Sequence, residues 1–199
     1  NLPECLNRVR ALSGWEGGKA VRIKDDTVRA KGVACLWKTP NPPVDAVSGA
    51  LITFNPDGSV NLNTGAVEMG SGGKTNLAQI LAEKLKIDPG MVHVVMDVDT
   101  WTAPEHWKTA ASLTEYMVGR AVMKAADDLL EQLRQNGSQA LGCPPEEIEI
   151  AEGRVFSRKN PERFIAFKDI VLGYMTGDGR SLGEPALGRG GFKLHGLSR

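Results

Sequence analysis

An α+β fold, with strands paired as hairpins and helices packed beside them, is what this sequence predicts. Three observations predict it. Residues 49–67 read "GALITFN", "PDGS", "VNLNTGAV", two apolar arms around a Pro-Asp-Gly turn. Residues 148–157, "IEIAEGRVFS", repeat that plan around Glu152-Gly153. Between the hairpins, 75–87 and 114–135 carry apolar residues at helical spacing. Hairpins mixed with helices argue against a doubly wound parallel sheet. The expected architecture is a mixed sheet built from the two hairpins and additional strands, packed by two main helices.

The elements follow in order. "LPECLNRVRALSGW" places Leu2, Leu6, Val9 and Ala11 or Leu12 at helical spacing and closes on Ser13-Gly14. "TVRAKGVACLWK" (27–38) reads as a strand with a glycine near its middle, and "TPNPPVDAVS" as a proline-rich connection without regular structure. In the second arm of the first hairpin, Val60, Leu62 and Thr64 alternate with Asn61 and Asn63, so one face is buried and one polar. "TNLAQILAEKLKI" is an amphipathic helix with the stripe Leu77, Ile80, Leu81, Leu85, ended by Asp88-Pro89-Gly90. "MVHVVMDV" reads as a buried strand. "TEYMVGRAVMKAADDLLEQLRQ" is the longest helix, expected to stop at Asn136-Gly137. "AFKDIVLGYMT" reads as a short helix before a glycine-rich tail. The expected divisions are 1–48 (helix, strand and proline-rich connection), 49–176 (the α+β subdomain) and 177–199 (the tail).

Composition narrows the function classes. The 199 residues are 41% hydrophobic and 24% charged, ordinary for a soluble globular chain. Lys plus Arg and Asp plus Glu are both 24, so no global positive field draws nucleic acid or an acidic membrane surface. No apolar run approaches the roughly 20 residues of a membrane span. Cys5, Cys35 and Cys143 stand far apart with no C-x-x-C pair, which disfavours zinc or iron–sulfur ligation by this chain. Reduced, mostly buried thiols in a cytoplasmic protein are the expectation. The polar start without an initiator Met, and the end "GGFKLHGLSR", read as cuts in a longer chain.

"EMGSGGKT" (68–75) is one residue from a phosphate-binding loop, which needs Gly, four free positions and Gly-Lys-Thr. Glu68 stands where the first glycine belongs, and a carboxylate there repels phosphate. The strand before it is one arm of a tight hairpin, whereas such loops leave strands of largely parallel sheets. The bare N–H groups of a helix N-terminus remain a natural anion site, and Lys74 reads as a solvated residue of the first helical turn. Nucleotide hydrolysis therefore stands as the weakest function class.

Three features taken together carry more. They are the "DGSV" hairpin, the run "TGAVEMGSGGKT", and "DTWTAPEHWKTAASLTEYMVGRAV" after the next strand. In this order the chain resembles the molybdenum-binding large subunit of the xanthine dehydrogenase and aldehyde oxidase family. That family follows a DGSV-type arm with G-x-x-E-x-G-Q-G-x-x-T and a helix. A strand, an Asp-Thr and Thr-Pro stretch, and G-T-x-A-S-R at the mouth of a long helix come next. Asp57 to Val60, Gly65, Glu68, Gly70, Gly72, Thr75, Gln79, Asp99, Thr100, Pro104, Trp107, Thr109, Ala111, Ser112, Gly119 and Ala121 fall in register. "GW" (14–15), "GVA" (32–34) and "PALGRGGF" (185–192) extend the likeness over nearly the whole chain.

The resemblance implies an internal fragment of an oxidoreductase subunit that helps bind molybdopterin, as such or as its cytosine dinucleotide. Gly70, Ser71 and Gly72 would form one cofactor-binding turn; Thr109, Ala110, Ala111 and Ser112 would form the other. Each would open a helix with backbone N–H groups and little bulk, and the hydroxyls of Thr109 and Ser112 can cap the long helix. The implied reaction is oxidative hydroxylation of a purine, aldehyde or N-heterocycle. Iron–sulfur centres and FAD would lie on other domains or subunits, and the remainder of the large subunit would be the first partner. The family's catalytic glutamate lies outside this chain. Glu184 in "GEP" reads as a loop carboxylate, so no catalytic residue and no metal ligand is assigned, and the fragment alone is expected to be inactive.

Departures sharpen the question. Ser71 replaces a glutamine, Lys108 a glycine, and Leu113 an arginine, while Ala103 reads as an insertion before Pro104. A glutamine amide both donates and accepts at longer reach than a serine hydroxyl. A noncatalytic structural or interaction segment derived from such a subunit is therefore the rival reading. Lys108 could supply the charge lost at Leu113. His93 and His106 lack partners at ligand spacing and read as structural or exposed, and Asp127-Asp128 as a solvated helix face. His195 falls in the tail.

Overall fold

The computed structural model describes residues 2–36, 45–97 and 99–194. The chain divides into two compact units, 1–42 and 43–199.

The first unit holds helix α1 (Leu2–Leu12), a 3-10 turn at Trp15–Gly17, and strands β1 (Ala20–Lys24) and β2 (Thr27–Ala30). β1 and β2 pair antiparallel, Ala20 opposite Ala30. The single strand expected over 27–38 is thus a hairpin arm that ends at Ala30, with 31–36 irregular and 37–38 outside the described residues. Val21 and Ile23 alternate ahead of Asp25-Asp26, a hairpin signal that the single-strand expectation overlooks. No residue of α1, β1 or β2 is buried. Cys5 and Cys35 are exposed and Cys143 half-buried, against the expectation of mostly buried thiols. A segment without a core has nowhere to hide them.

The second unit is built on a four-stranded sheet in the order β11-β3-β4-β5. β3 (Val47–Phe54) and β4 (Val60–Asn63) are the predicted hairpin, Phe54 opposite Val60. Asp57 closes its turn by accepting from the Ser59 amide at 2.9 Å and the Ser59 hydroxyl at 2.6 Å. Ser48, Ala50, Ile52 and Phe54 alternate inward on β3, and Val60 and Leu62 on β4. Helix α2 (Gly73–Leu85) lays Leu77, Leu81 and Leu85, all 0% exposed, against this face. Each such side chain contributes about 2 kcal/mol by leaving water. β5 (Val92–Val95) returns parallel to β4. It is an edge strand with His93 exposed and Val94 and Val95 half-buried, not the fully buried strand expected.

A π-helical turn (Thr114–Val118) leads into α3 (Gly119–Leu141). The helix does not stop at Asn136-Gly137; it runs on to a left-handed Gly142. Two contacts override the breaker signal. Buried Asn136 donates from Nδ2 to the Glu184 carbonyl at 2.9 Å. Gly137 brings the helix against Val155 so closely that a Cβ would lie 2.5 Å from Val155 Cγ1. β6 (Ile148–Ala151) and β7 (Arg154–Ser157) form the second hairpin, turned on Glu152 (φ 53°) and Gly153 (φ 67°). β8 (Asn160–Ala166) adds a third antiparallel strand, so the two hairpins belong to separate sheets. The short helix expected over 166–176 shrinks to a 3-10 turn at Phe167–Asp169, followed by β9 (Tyr174–Met175), which pairs with β10 (Ser181–Leu182).

The glycine-rich segment is not a structureless tail. β11 (Leu187–Lys193) pairs along its whole length with β3, from Leu187 opposite Thr53 to Lys193 opposite Val47. Gly188 and Gly190 let it press onto α3: a Cβ would lie 2.4 Å from the Ala125 carbonyl oxygen and 2.1 Å from that of Ala121.

Candidate functional site

Past β4 the chain leaves the sheet and runs to α2 through Thr64–Gly72. Gly65 is needed for close approach, since a Cβ there would fall 2.2 Å from the Pro104 carbonyl oxygen. The Gly70-Ser71-Gly72 turn follows, with φ of 96° at Gly70 and 81° at Gly72, the left-handed region that glycine enters without penalty. Gly72 is the N-cap of α2 and supplies no side chain for the role.

Glu68 supplies it instead. Its Oε1 accepts from the Gly70 amide at 2.6 Å and the Gly72 amide at 3.2 Å, and Oε2 from the Lys74 amide at 3.1 Å. The Lys74 amide holds the Glu68 carboxyl at a pKa of about 2; desolvation opposes it, and the Gly70, Gly72 and Ser71 amides each add a smaller downward pull. The bare N–H groups expected at this helix start are therefore largely taken. A phosphate in the manner of a nucleotide loop would have to displace a charged carboxylate. No spacing rule points to this role for Glu68; the sequence shows only its charge.

The second turn is reached through a short extension of the sheet. Where β4 ends, residues 105–107 run beside the start of β3: the Gly49 amide donates to the Glu105 carbonyl at 2.7 Å and the Trp107 amide to the Val47 carbonyl at 3.0 Å. His106 Nδ1 lies 2.7 Å from the buried Ser48 hydroxyl, and its buried Nε2 has no protein partner. Burial pushes the His106 pKa down, against the nearby Glu105 charge, and favours the neutral ring. Residues 109–113 then fold into a tight turn, with the Leu113 amide donating to the Ala110 carbonyl at 3.0 Å. Ala111 adopts φ 48°, which costs a non-glycine residue about 1–2 kcal/mol. Ala111 and Ser112 are exposed, while Thr109 and Ala110 are half-buried.

Neither hydroxyl caps the long helix as expected, since the π turn and α3 have no side-chain cap. Thr109 does something else. Its Oγ1 accepts from the Val67 amide at 3.1 Å, joining the second turn to the approach of the first. Asn76, on α2, donates to Glu115 at 3.2 Å and ties the two helix starts together. Ser71 and Ser112 are thus exposed hydroxyls on adjoining turns.

The departures find physical accounts. Leu113, half-buried, packs with Trp107 against an apolar cluster of Ala46, Met117 and Leu194, which suits an aliphatic side chain. Lys108 is exposed, with its ammonium 5.5 Å above the Trp107 ring. Glu184 is exposed beside Asn136, and 17 residues of α3 between Gly119 and Asn136 put it roughly 25 Å along the helix from the turns. A cleft of ≈ 590 Å³ lined by Asp57, Lys86, Asp88, Glu152 and Lys168 includes no residue of either turn. A smaller one of ≈ 230 Å³ borders Gly65, Asp99, Pro104 and His106. His93 is exposed on β5, and His195 lies outside the described residues.

Two polar turns of low bulk each precede a helix on an α+β scaffold, and the Val67–Thr109 hydrogen bond ties the second to the approach of the first. Residues 8–192 match the model of the molybdopterin cofactor-binding domain, and the chain belongs to that family. It is 30% identical over 176 residues to a xanthine dehydrogenase molybdenum-binding subunit of Escherichia coli O157:H7, covering 86% of this chain and 23% of the relative. It is 36% identical over 165 residues to a subunit of nicotinate dehydrogenase from Pseudomonas putida, covering 77% of this chain and 14% of that protein. The chain thus spans less than a quarter of these relatives' lengths. Its fold matches quinoline 2-oxidoreductase from Pseudomonas putida 86, with a TM-score of 0.62 at 20% identity over 74% of this chain and 19% of that one. It also matches CO dehydrogenase from Oligotropha carboxidovorans, with a TM-score of 0.62 at 24% identity over 76% and 18%.

Proposed function

We propose that this chain is the part of a molybdenum hydroxylase large subunit that holds molybdopterin between Gly70-Ser71-Gly72 and Thr109-Ala110-Ala111-Ser112. The observation that carries the reading is the Val67–Thr109 hydrogen bond at 3.1 Å, which brings together two turns far apart in sequence. The residues fit such a group. No heavy atom approaches within 4 Å of a Cβ built at Gly70 or Gly72, so the first turn faces open space. The exposed Ser71 and Ser112 offer hydroxyls that donate and accept, and Ala110 and Ala111 add no polar group that would need its own partner. With Glu68 taking two amides of the first turn and the Lys74 amide of α2, the Ser71 hydroxyl becomes that turn's main side-chain contact. It has less reach than the family's glutamine, so water can bridge the difference.

When bound, the cofactor supplies oxidative hydroxylation of an electron-poor carbon, as in a purine, aldehyde or N-heterocycle. This chain's residues bind and orient it. The cytosine dinucleotide form, iron–sulfur and flavin partners on other domains or subunits, the rest of the large subunit as first partner and a cytoplasmic location belong to the same proposal. Among the described residues no helix is long and apolar enough to cross a membrane.

Molybdenum and pterin analysis of the complete subunit, purified from a cofactor-competent host, tests the reading. The wild type is expected to carry both, and Ser71→Ala with Ser112→Ala to lower pterin content several-fold without unfolding the protein. A wild type lacking both would overturn the proposal in favour of a noncatalytic segment, the reading that Ser71 and Leu113 favour.

A further inference from the structure

Two left-handed glycines around one residue turn successive N–H groups toward a common point, a geometry that captures anions. In this chain the anion is covalently its own. Glu68 takes the amides at the second, fourth and sixth positions after it, and its Oε1 also lies 3.5 Å from the Ser71 hydroxyl. We propose that Glu68 is a positioning residue: its carboxylate fills the N–H nest ahead of α2, closes it to phosphate, and fixes the backbone that presents Ser71 to the cofactor. The last part rests on the cofactor reading above; the first two do not.

Three observations converge. First, packing does not hold the turn, because the space around Gly70 and Gly72 is open. The contacts that span it are those of Glu68, so the carboxylate sets its shape. Second, α2 has no side-chain N-cap and no acidic residue in its first turn. A helix start gains from negative charge, and Glu68 reaches back to supply it from four residues ahead of the N-cap. Third, a phosphate would need the same amides and would meet a full negative charge. This accounts physically for a Gly-Lys-Thr sequence that is not used as a nucleotide loop. Lys74 is engaged through its backbone amide, and its side chain is free of any role in the nest.

The experiment uses the complete subunit as wild type, Glu68→Ala and Glu68→Gln. Hydrogen exchange of the peptide covering 66–76 reports the amides, calorimetry with inorganic phosphate and with formate reports the nest, and pterin content reports the cofactor. The wild type is expected to protect the Gly70, Gly72 and Lys74 amides and to ignore phosphate. Glu68→Ala is expected to lose that protection, bind phosphate and formate, and bind pterin about tenfold more weakly, a change of about 1.4 kcal/mol. Added formate is expected to restore both protection and pterin. Glu68→Gln keeps one carbonyl oxygen for the Gly70 and Gly72 amides but puts an NH2 where Oε2 accepts from Lys74; it is expected to fold and to lose protection of the Lys74 amide, which keeps the test decisive should Glu68→Ala fail to fold. Protection of the Lys74 amide that survives in Glu68→Gln, or no anion binding by a folded Glu68→Ala, would overturn the assignment. Lost protection with unchanged pterin would overturn the positioning role. A wild type without pterin would sink the cofactor reading and with it the presentation of Ser71, while the exchange and phosphate results would still decide the anion role.

Discussion

Two glycine-rich stretches of this protein, "GSGG" (70–73) and "GRGG" (188–191), differ in one residue and have opposite physics. In Gly70-Ser71-Gly72 the glycines are required by conformation: both have positive φ, and the space around them is open. In β11 neither Gly188 nor Gly190 has positive φ, and both are required by space, because a Cβ would enter the backbone of α3. The first stretch leaves a surface bare for contact with something else. The second lets a strand and a helix seat against each other inside the unit. A glycine count cannot separate an open turn from a packing seam; φ and the nearest atom can.

Substitutions test that difference, beginning with the seam. Gly190→Ala puts a Cβ 2.1 Å from the Ala121 carbonyl oxygen, where rigid backbone cannot yield. It should cost about 3 kcal/mol or more, read as a lower thermal midpoint of unfolding, with Gly188→Ala close behind. If Gly190→Ala is neutral, the close seating of β11 on α3 is wrong. Gly137→Ala comes next. Alanine favours a helix interior by about 1 kcal/mol, yet the new Cβ crowds the fully buried Val155. Overpacking of about 1–3 kcal/mol should outweigh the gain, so urea unfolding should show a net loss where helix propensity alone forecasts a gain.

At the Gly70-Ser71-Gly72 turn the effects on stability shrink. Gly72→Ala meets no atom but must hold a left-handed conformation, which costs about 1 kcal/mol. The fold should survive, and circular dichroism should be unchanged while the unfolding midpoint falls slightly. The smallest effect concerns pH. The Glu68 carboxyl titrates at about 2 in the folded protein against an ordinary value of 4.5. A carboxyl with a depressed folded pKa contributes stability above its unfolded value and loses it as pH falls toward the folded one. Glu68→Gln should therefore flatten the pH dependence of stability between about 4.5 and about 2 and leave the remaining acid dependence in place. An unaltered slope would mean that the Glu68 hydrogen bonds do not persist in solution.

Much of the scaffold was legible. Val60 and Leu62 alternate, Leu77, Leu81 and Leu85 form a stripe, and "PDGS" and Glu152-Gly153 mark turns, because these signals are local. The two turns proposed to hold the cofactor were singled out only through ordered motifs shared with a family. β11 was not, since "LGRGGFK" has no alternation of its own; its register comes from β3 and its depth from α3. The continuation of α3 was hidden for a related reason: Asn136 finds the Glu184 carbonyl, a partner far along the chain. The direction of the Glu68 side chain was equally out of reach, because the backbone amides it accepts from are brought round to it only by the left-handed Gly70 and Gly72.

By itself, then, the sequence determined the α+β class, the hairpins, the amphipathic faces and the family, all of which depend on neighbouring residues or on the order of motifs. Only the tertiary structure decided which glycines make turns and which make seams. It also decided that Thr109 binds the Val67 amide instead of capping a helix, and that Glu68 fills the nest a phosphate would need. Each of those outcomes depends on which atom comes within about 3 Å, and distances of that kind are settled by the packing of segments remote in sequence.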